Sequence, residues 1–121
     1  MKEPQLAKIV SEDLRDSIIN TYLDIETGWA AASDFKSLTA GLKKLSEEQR
    51  KNIRQCLLIA VDSGIHDFLF HLQELHESGS DVGFYENGEN VAGLSDGLHG
   101  EPFSDEGWFA KYSQHGYEKE I

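Results

Sequence analysis

Between Leu6 and Trp29 an apolar side chain recurs every three or four residues: Leu6, Val10, Leu14, Ile18, Tyr22, Ile25 and Trp29. At about 100° per residue this spacing gathers all seven on one face of a helix. The pattern constrains the fold strongly, because so long an amphipathic rod must find a layer to cover its apolar stripe. Pro4 stands where a proline at a helix start is tolerated, and Gly28 ends the regular part near Thr27.

Three further helices follow from local signals. Ser33 or Asp34 would cap a short one carrying Phe35, Leu38, Leu42 and Leu45 on one side. Ser46 with Gln49 three residues later forms a capping box, in which each side chain satisfies an orphan backbone N–H. Glu47 and Glu48 suit the positive end of that helix. It runs into Cys56–Val61, "CLLIAV", apolar on every side and therefore expected at the centre of the core, with Cys56 a buried and inert thiol. Asp62-Ser63-Gly64 then reads as a break before a fourth helix over about 65–77.

Beyond residue 80 the texture changes. Asn87-Gly88 between Phe84-Tyr85 and Val91 is the dipeptide of a two-residue hairpin. Ser104, Asp105 and Glu106 would open a short C-terminal helix ending at Gly116, and a strand through residues 108–113 is the competing reading. The expected fold is α+β in a single domain, 1–121. About four helices fill the N-terminal two-thirds, followed by a small antiparallel β-hairpin region and a short C-terminal helix or strand.

Charge is distributed unevenly. The net charge is −11. Residues 1–54 hold nine Lys/Arg and nine Asp/Glu, and residues 111–121 hold two of each. Residues 55–110 hold no Lys or Arg and eleven Asp/Glu. Such a surface repels nucleic acid and anionic membrane and attracts a basic protein or a divalent cation. No apolar run approaches the roughly 20 residues that cross a bilayer. The start of the chain lacks the apolar stretch of a secretory signal. A lone cysteine allows no internal disulfide, so a reducing cytoplasm is the expected compartment.

Two constellations deserve chemistry. Asp62 with His66 and Asp67 with His71 are Asp-x-x-x-His pairs. Joined by Glu74 and His99 they would form a divalent-metal site or a metal-dependent hydrolase centre. Against this, the histidines at 66, 71 and 76 are five apart and swing about 140° from one another on a helix. Ordinary i, i+4 contacts on a solvated face account for the same pairs. The second, Gly93-Leu94-Ser95-Asp96-Gly97, has the G-x-S-x-G spacing, but Gly100 and Pro102 follow where the nucleophile elbow needs a helix. It reads as a glycine-rich turn.

The block "LSEEQRKNIRQCLLIAVDSGIHDFLFHLQE" resembles small bacterial cytoplasmic proteins, some of them like the immunity proteins carried beside polymorphic toxins. That resemblance spans about thirty residues, holds no catalytic signature, and implies a small, acidic, cofactor-free, mixed α/β binder. Residues and resemblance together lead to binding rather than catalysis. Asp96, Glu101, Asp105 and Glu106 would dock a basic partner such as a nuclease toxin, with Phe103 or Trp108 as an apolar anchor. The alternative is the metal reading through Asp62, His66, Asp67, His71, Glu74 and His99.

Overall fold

The structure, a computed structural model, describes residues 3–29, 35–117 and 120–121. The expected cap at Ser33 or Asp34 lies outside the described residues. The fold is α+β, mostly helical, with a two-stranded antiparallel sheet.

The first helix is one continuous rod in three parts. α1 (Gln5–Lys8) passes into a π-helical stretch (Ile9–Asp16) and then α2 (Ser17–Thr27), with right-handed helical backbone at both junctions. Gly28 ends it at φ 87°, a conformation that favours glycine. The π stretch changes which side chains are buried. Leu6 and Val10 are in the core as expected, but Leu14 and Ile18 are 39% and 37% exposed. In their place Ser11, Arg15, Asp16 and Ile19 are buried. A π turn spans one residue more than an α turn. The buried face therefore slips by one position after Val10, and two charged residues enter the interior.

α3 (Lys36–Lys43) buries no residue fully and packs against α2, where the Thr39 hydroxyl donates to the Ile25 carbonyl. Leu38 is 56% exposed, so its place on a packed side is not realised.

α4 (Glu47–Glu77) is 31 residues long, about 46 Å at the usual rise. Its capping box forms as expected: Gln49 N–H donates to Ser46 Oγ (3.1 Å) and Ser46 N–H donates to Gln49 Oε1 (2.9 Å). The expected break at Asp62-Ser63-Gly64 does not occur. The Asp62 carboxylate is engaged by Arg15 and does not compete for the local backbone. Gly64 costs about 1 kcal/mol in a helix interior, a loss outweighed by burying Ile65 beside it and Leu69 a turn further on.

The "CLLIAV" run is likewise corrected. Leu58 is buried and Val61 packs at the edge of the core, but Cys56 and Ala60 are exposed and Ile59 is 57% exposed. Among the described residues the 3₁₀ turns that follow α4 are fastened to its C-terminal half at Gln73, and Cys56, Ile59 and Ala60 are left exposed.

The remainder wraps that C-terminal half. β1 (Tyr85–Glu86) pairs with β2 (Glu89–Asn90) through Asn87 and Gly88, both at positive φ, as a primed two-residue turn requires. Two 3₁₀ turns, Val91–Leu94 and Leu98–Gly100, then lie on α4. The buried amide of Gln73 fastens both: its Nε2 donates to Ala92 O (3.2 Å) and its Oε1 accepts from Leu98 N–H (2.9 Å). α5 (Trp108–Tyr112) is a helix rather than a strand, and it starts after Gly107, not at Ser104. A side chain at 107 would put its Cβ 2.6 Å from Glu101 O, so the turn closes only on glycine. The core joins Leu6 and Val10 of the rod, Ile65 and Leu69 of α4, and Val91, Leu98, Trp108 and Phe109.

Candidate functional site: the acidic end

Arg15 is the pivot between the balanced half of the molecule and the acidic half. It has no exposed surface, yet carries a charge that must be matched. Its Nε donates to Asp62 Oδ1 (2.8 Å) and its Nη2 to Asp62 Oδ2 (3.3 Å). Nη1 donates to Ser113 Oγ (3.0 Å) and Gly116 O (2.8 Å). The guanidinium lies 4.2 Å over the Phe109 ring. Beside it Asp16 accepts from the Ser113 hydroxyl (2.6 Å) and from Gln114 N–H (2.7 Å). This network clamps the segment after α5 to the rod. The α-helical period sets Arg15 and Asp16 on the polar face, so no signal in the sequence marks them as interior.

Asp62 is thereby neutralised, and it is the exception. Among the described residues, none of the other ten carboxylates between residues 67 and 106 forms an ion pair with Lys or Arg. Arg50, Lys51, Arg54 and Lys111 pair elsewhere. Arg54 reaches Glu26 (2.9 Å) and Glu47 (2.6 Å), and Arg50 reaches Glu47 (3.1 Å). Lys51 meets Glu120 (3.5 Å) and Lys111 meets Glu3 (2.7 Å). Hydrogen bonds from Arg54, then Arg50, hold Glu47 below the usual carboxylate range. The Glu3 carboxylate holds Lys111 above the usual lysine range.

Glu86 has a separate task. Its carboxylate accepts from Gln5 N–H (2.7 Å) and Leu6 N–H (3.3 Å), capping a helix that starts 81 residues earlier. An open cleft of about 640 Å³ lies beside it, between the start of α1, the hairpin turn and Tyr112.

Asp96, Glu101, Asp105 and Glu106 are all exposed: Asp96 and Glu101 flank the Leu98–Gly100 turn that Gln73 fastens to α4, and Asp105 and Glu106 lie in the loop before α5. Ser95 Oγ donates to Glu101 Oε1 (2.8 Å) and accepts from Gly97 N–H (3.1 Å), so the G-x-S-x-G serine stiffens a turn. Trp108 is corrected as an anchor: at 2% exposure it is among the largest core side chains. Phe103 is half-buried, edge-on to Phe109 at 5.3 Å. No protein-family model, curated protein or solved structure matches the chain. The functional reading therefore rests on geometry and charge.

The six residues of the metal reading do not converge. Asp62 turns to Arg15, and His71 and Glu74 stand apart at 3.9 Å from each other on the exposed side of α4. His66 and His99 do meet, with ring centroids 5.3 Å apart, and His66 Nδ1 lies 3.1 Å from Asp67 Oδ1. Their neighbours are aromatic: Phe70 stacks on His66 and meets His99 edge-on at 5.0 Å, and Phe103 lies 6.1 Å from His66. Among the described residues no group of three or more His, Cys, Asp or Glu is placed to hold a metal ion. Sequence reasoning missed this aromatic patch, in which Phe70 is 43% exposed.

Proposed function

We propose that this chain is an acidic protein-binding module that docks a basic protein. The role that fits best is inhibition of a partner such as a nuclease-type toxin, in the manner of an immunity protein. The supporting observation is the exposed quartet Asp96, Glu101, Asp105 and Glu106, which has no Lys or Arg ion pair among the described residues. Unneutralised carboxylates on a fixed scaffold raise the encounter rate with a cationic surface and select against anionic ones. Phe70, beside Phe103 and the two histidines, supplies the apolar anchor that Trp108 does not.

The test is capture of partner proteins from the native cell on the immobilised chain, followed by titration of the purified partner at low and high salt. The expected partner is basic. Its affinity falls at least tenfold between those salts, and falls again when the quartet is changed to Asp96→Asn, Glu101→Gln, Asp105→Asn and Glu106→Gln. A partner held equally well at about molar salt, where the screening length is near 3 Å, would overturn the reading.

A further inference from the structure

We propose that the first helix of this chain holds two registers, and that the step between them turns α2 by one residue and releases Arg15. The π-helical stretch Ile9–Asp16 is eight residues long, where a π segment is usually a single turn. It sets an extra residue between Val10 and Arg15, and π segments are frequent at functional sites. It is also incompletely satisfied. The Ser11 hydroxyl is fully buried and has no hydrogen-bond partner among the described residues.

The sequence supplies a second inward face, one residue earlier. In the observed register Arg15 and Ile19 have no exposed surface, and Glu26 is turned to Arg54 at 2.9 Å. The residue before each of these is apolar: Leu14, Ile18 and Ile25. Winding the π stretch into regular α-helix turns everything beyond it by about 100°, the rotation of one residue. Leu14, Ile18 and Ile25 then take those inward places, and Ile18 follows Ile19 with the same side chain. Little packing stands in the way. α2 fully buries Ile19 alone, α3 fully buries no residue, and the main core takes from the rod only Leu6, Ala7 and Val10.

The polar network holds the observed register. Arg15 donates to Asp62, Ser113 and Gly116, and Asp16 accepts from Ser113 and Gln114. The α register gives up these contacts. It gains regular i→i+4 bonding and the cover of Leu14 and Ile18, now 39% and 37% exposed. These opposing terms make it a minor state, about one per cent populated. The turn carries Arg15 off Asp62, frees residues 113–116 and adds an unpaired carboxylate to the acidic half. A basic partner therefore draws the chain toward the shifted register, a consequence that rests on the proposed function, whereas the switch itself does not.

NMR relaxation dispersion and saturation transfer on the full chain, with no partner present, test the switch. The expected result is one exchange process on the μs–ms scale. It is shared by the methyls of Leu14, Ile18 and Ile19 and the amides of Ser113, Gln114 and Gly116. Ser113→Ala, which takes a contact from both Arg15 and Asp16, raises the minor population several-fold. Two variants abolish the exchange while melting no lower than the parent. Deletion of Asp13, exposed and without an ion pair among the described residues, removes the extra residue and fixes the observed packing on a regular α-helix. Leu14→Gln with Ile18→Gln penalises the shifted register alone, since both side chains are exposed in the observed one. No shared exchange in the parent, or exchange that survives in either variant, would overturn the proposal. A chain that shows the exchange but captures no basic partner supports the switch and counts against the proposed function only.

Discussion

Arg15→Ala is the most demanding test of the fold. The substitution removes four hydrogen bonds from a fully buried guanidinium and its seat on Phe109. It leaves Asp62 unpaired and strips Ser113 and Gly116 of a donor. Removing one partner of a buried ion pair costs about 3–5 kcal/mol, because the abandoned charge stays desolvated. Asp62 is 22% exposed, so water reaches it in part and the lower end applies, about 3 kcal/mol. For a domain of this size roughly 4 °C accompanies each kcal/mol, giving a fall in Tm of about 12 °C. Thermal melting followed by circular dichroism reads the fall, and Trp108, 2% exposed in the same core, reports it by fluorescence. Arg15→Lys recovers little, since one ammonium cannot make the forked contact. A double-mutant cycle with Asp62→Asn gives a coupling above about 1 kcal/mol. A loss in Arg15→Ala no larger than that of an exposed pair, under about 1 kcal/mol, would refute the reasoning.

Glu86→Ala removes the carboxylate that caps α1, at a cost of about 1 kcal/mol. Hydrogen exchange at the Gln5 and Leu6 amides then accelerates, while the amides of α4 near Leu69 keep their protection relative to global stability. Acidification has a defined sign at Glu47. Its folded value lies below the usual carboxylate range, so its contribution is present above that range and is lost as pH falls through the folded value. The dependence of Tm on pH in that acid window is therefore shallower in Glu47→Gln than in the parent chain. The side chain is exposed, so the difference is small and diminishes with salt.

The elements legible in the sequence are those set by adjacent residues. Ser46 and Gln49 satisfy each other's backbone within one turn, and Asn87-Gly88 carries its own turn geometry, so both appear as read. What was not legible depends on residues far away in the chain. Asp62-Ser63-Gly64 has the composition of a break, but Asp62 answers to Arg15, 47 residues earlier, and the helix continues. Leu14 and Ile18 keep the period of an α-helix, yet the π turn hands their place to Arg15 and Asp16, whose partners stand near residue 113. At the candidate site, the carboxylates and their lack of nearby Lys or Arg could be counted directly. The burial of Trp108 and the meeting of His66 with His99 required the packing of α5 and the 3₁₀ turns on α4.

The charge pattern carries a consequence for stability as well as for binding. Arg15, Arg50, Lys51, Arg54 and Lys111 are all committed to carboxylates outside the Asp96–Glu106 stretch. That stretch is left to repel itself, which opposes the compact state. If its carboxylates serve a partner, neutralising them relieves repulsion and raises stability by a few tenths of a kcal/mol each, while partner affinity falls. Glu101→Gln is the instructive member, because the amide retains an acceptor for the Ser95 hydroxyl and loses only the charge. Chemical denaturation of the quartet variant reads the sum. A more stable but weaker-binding protein is the expected result. A quartet variant less stable than the parent would mean that these carboxylates hold the turns together, and the acidic end would then be scaffold rather than docking surface.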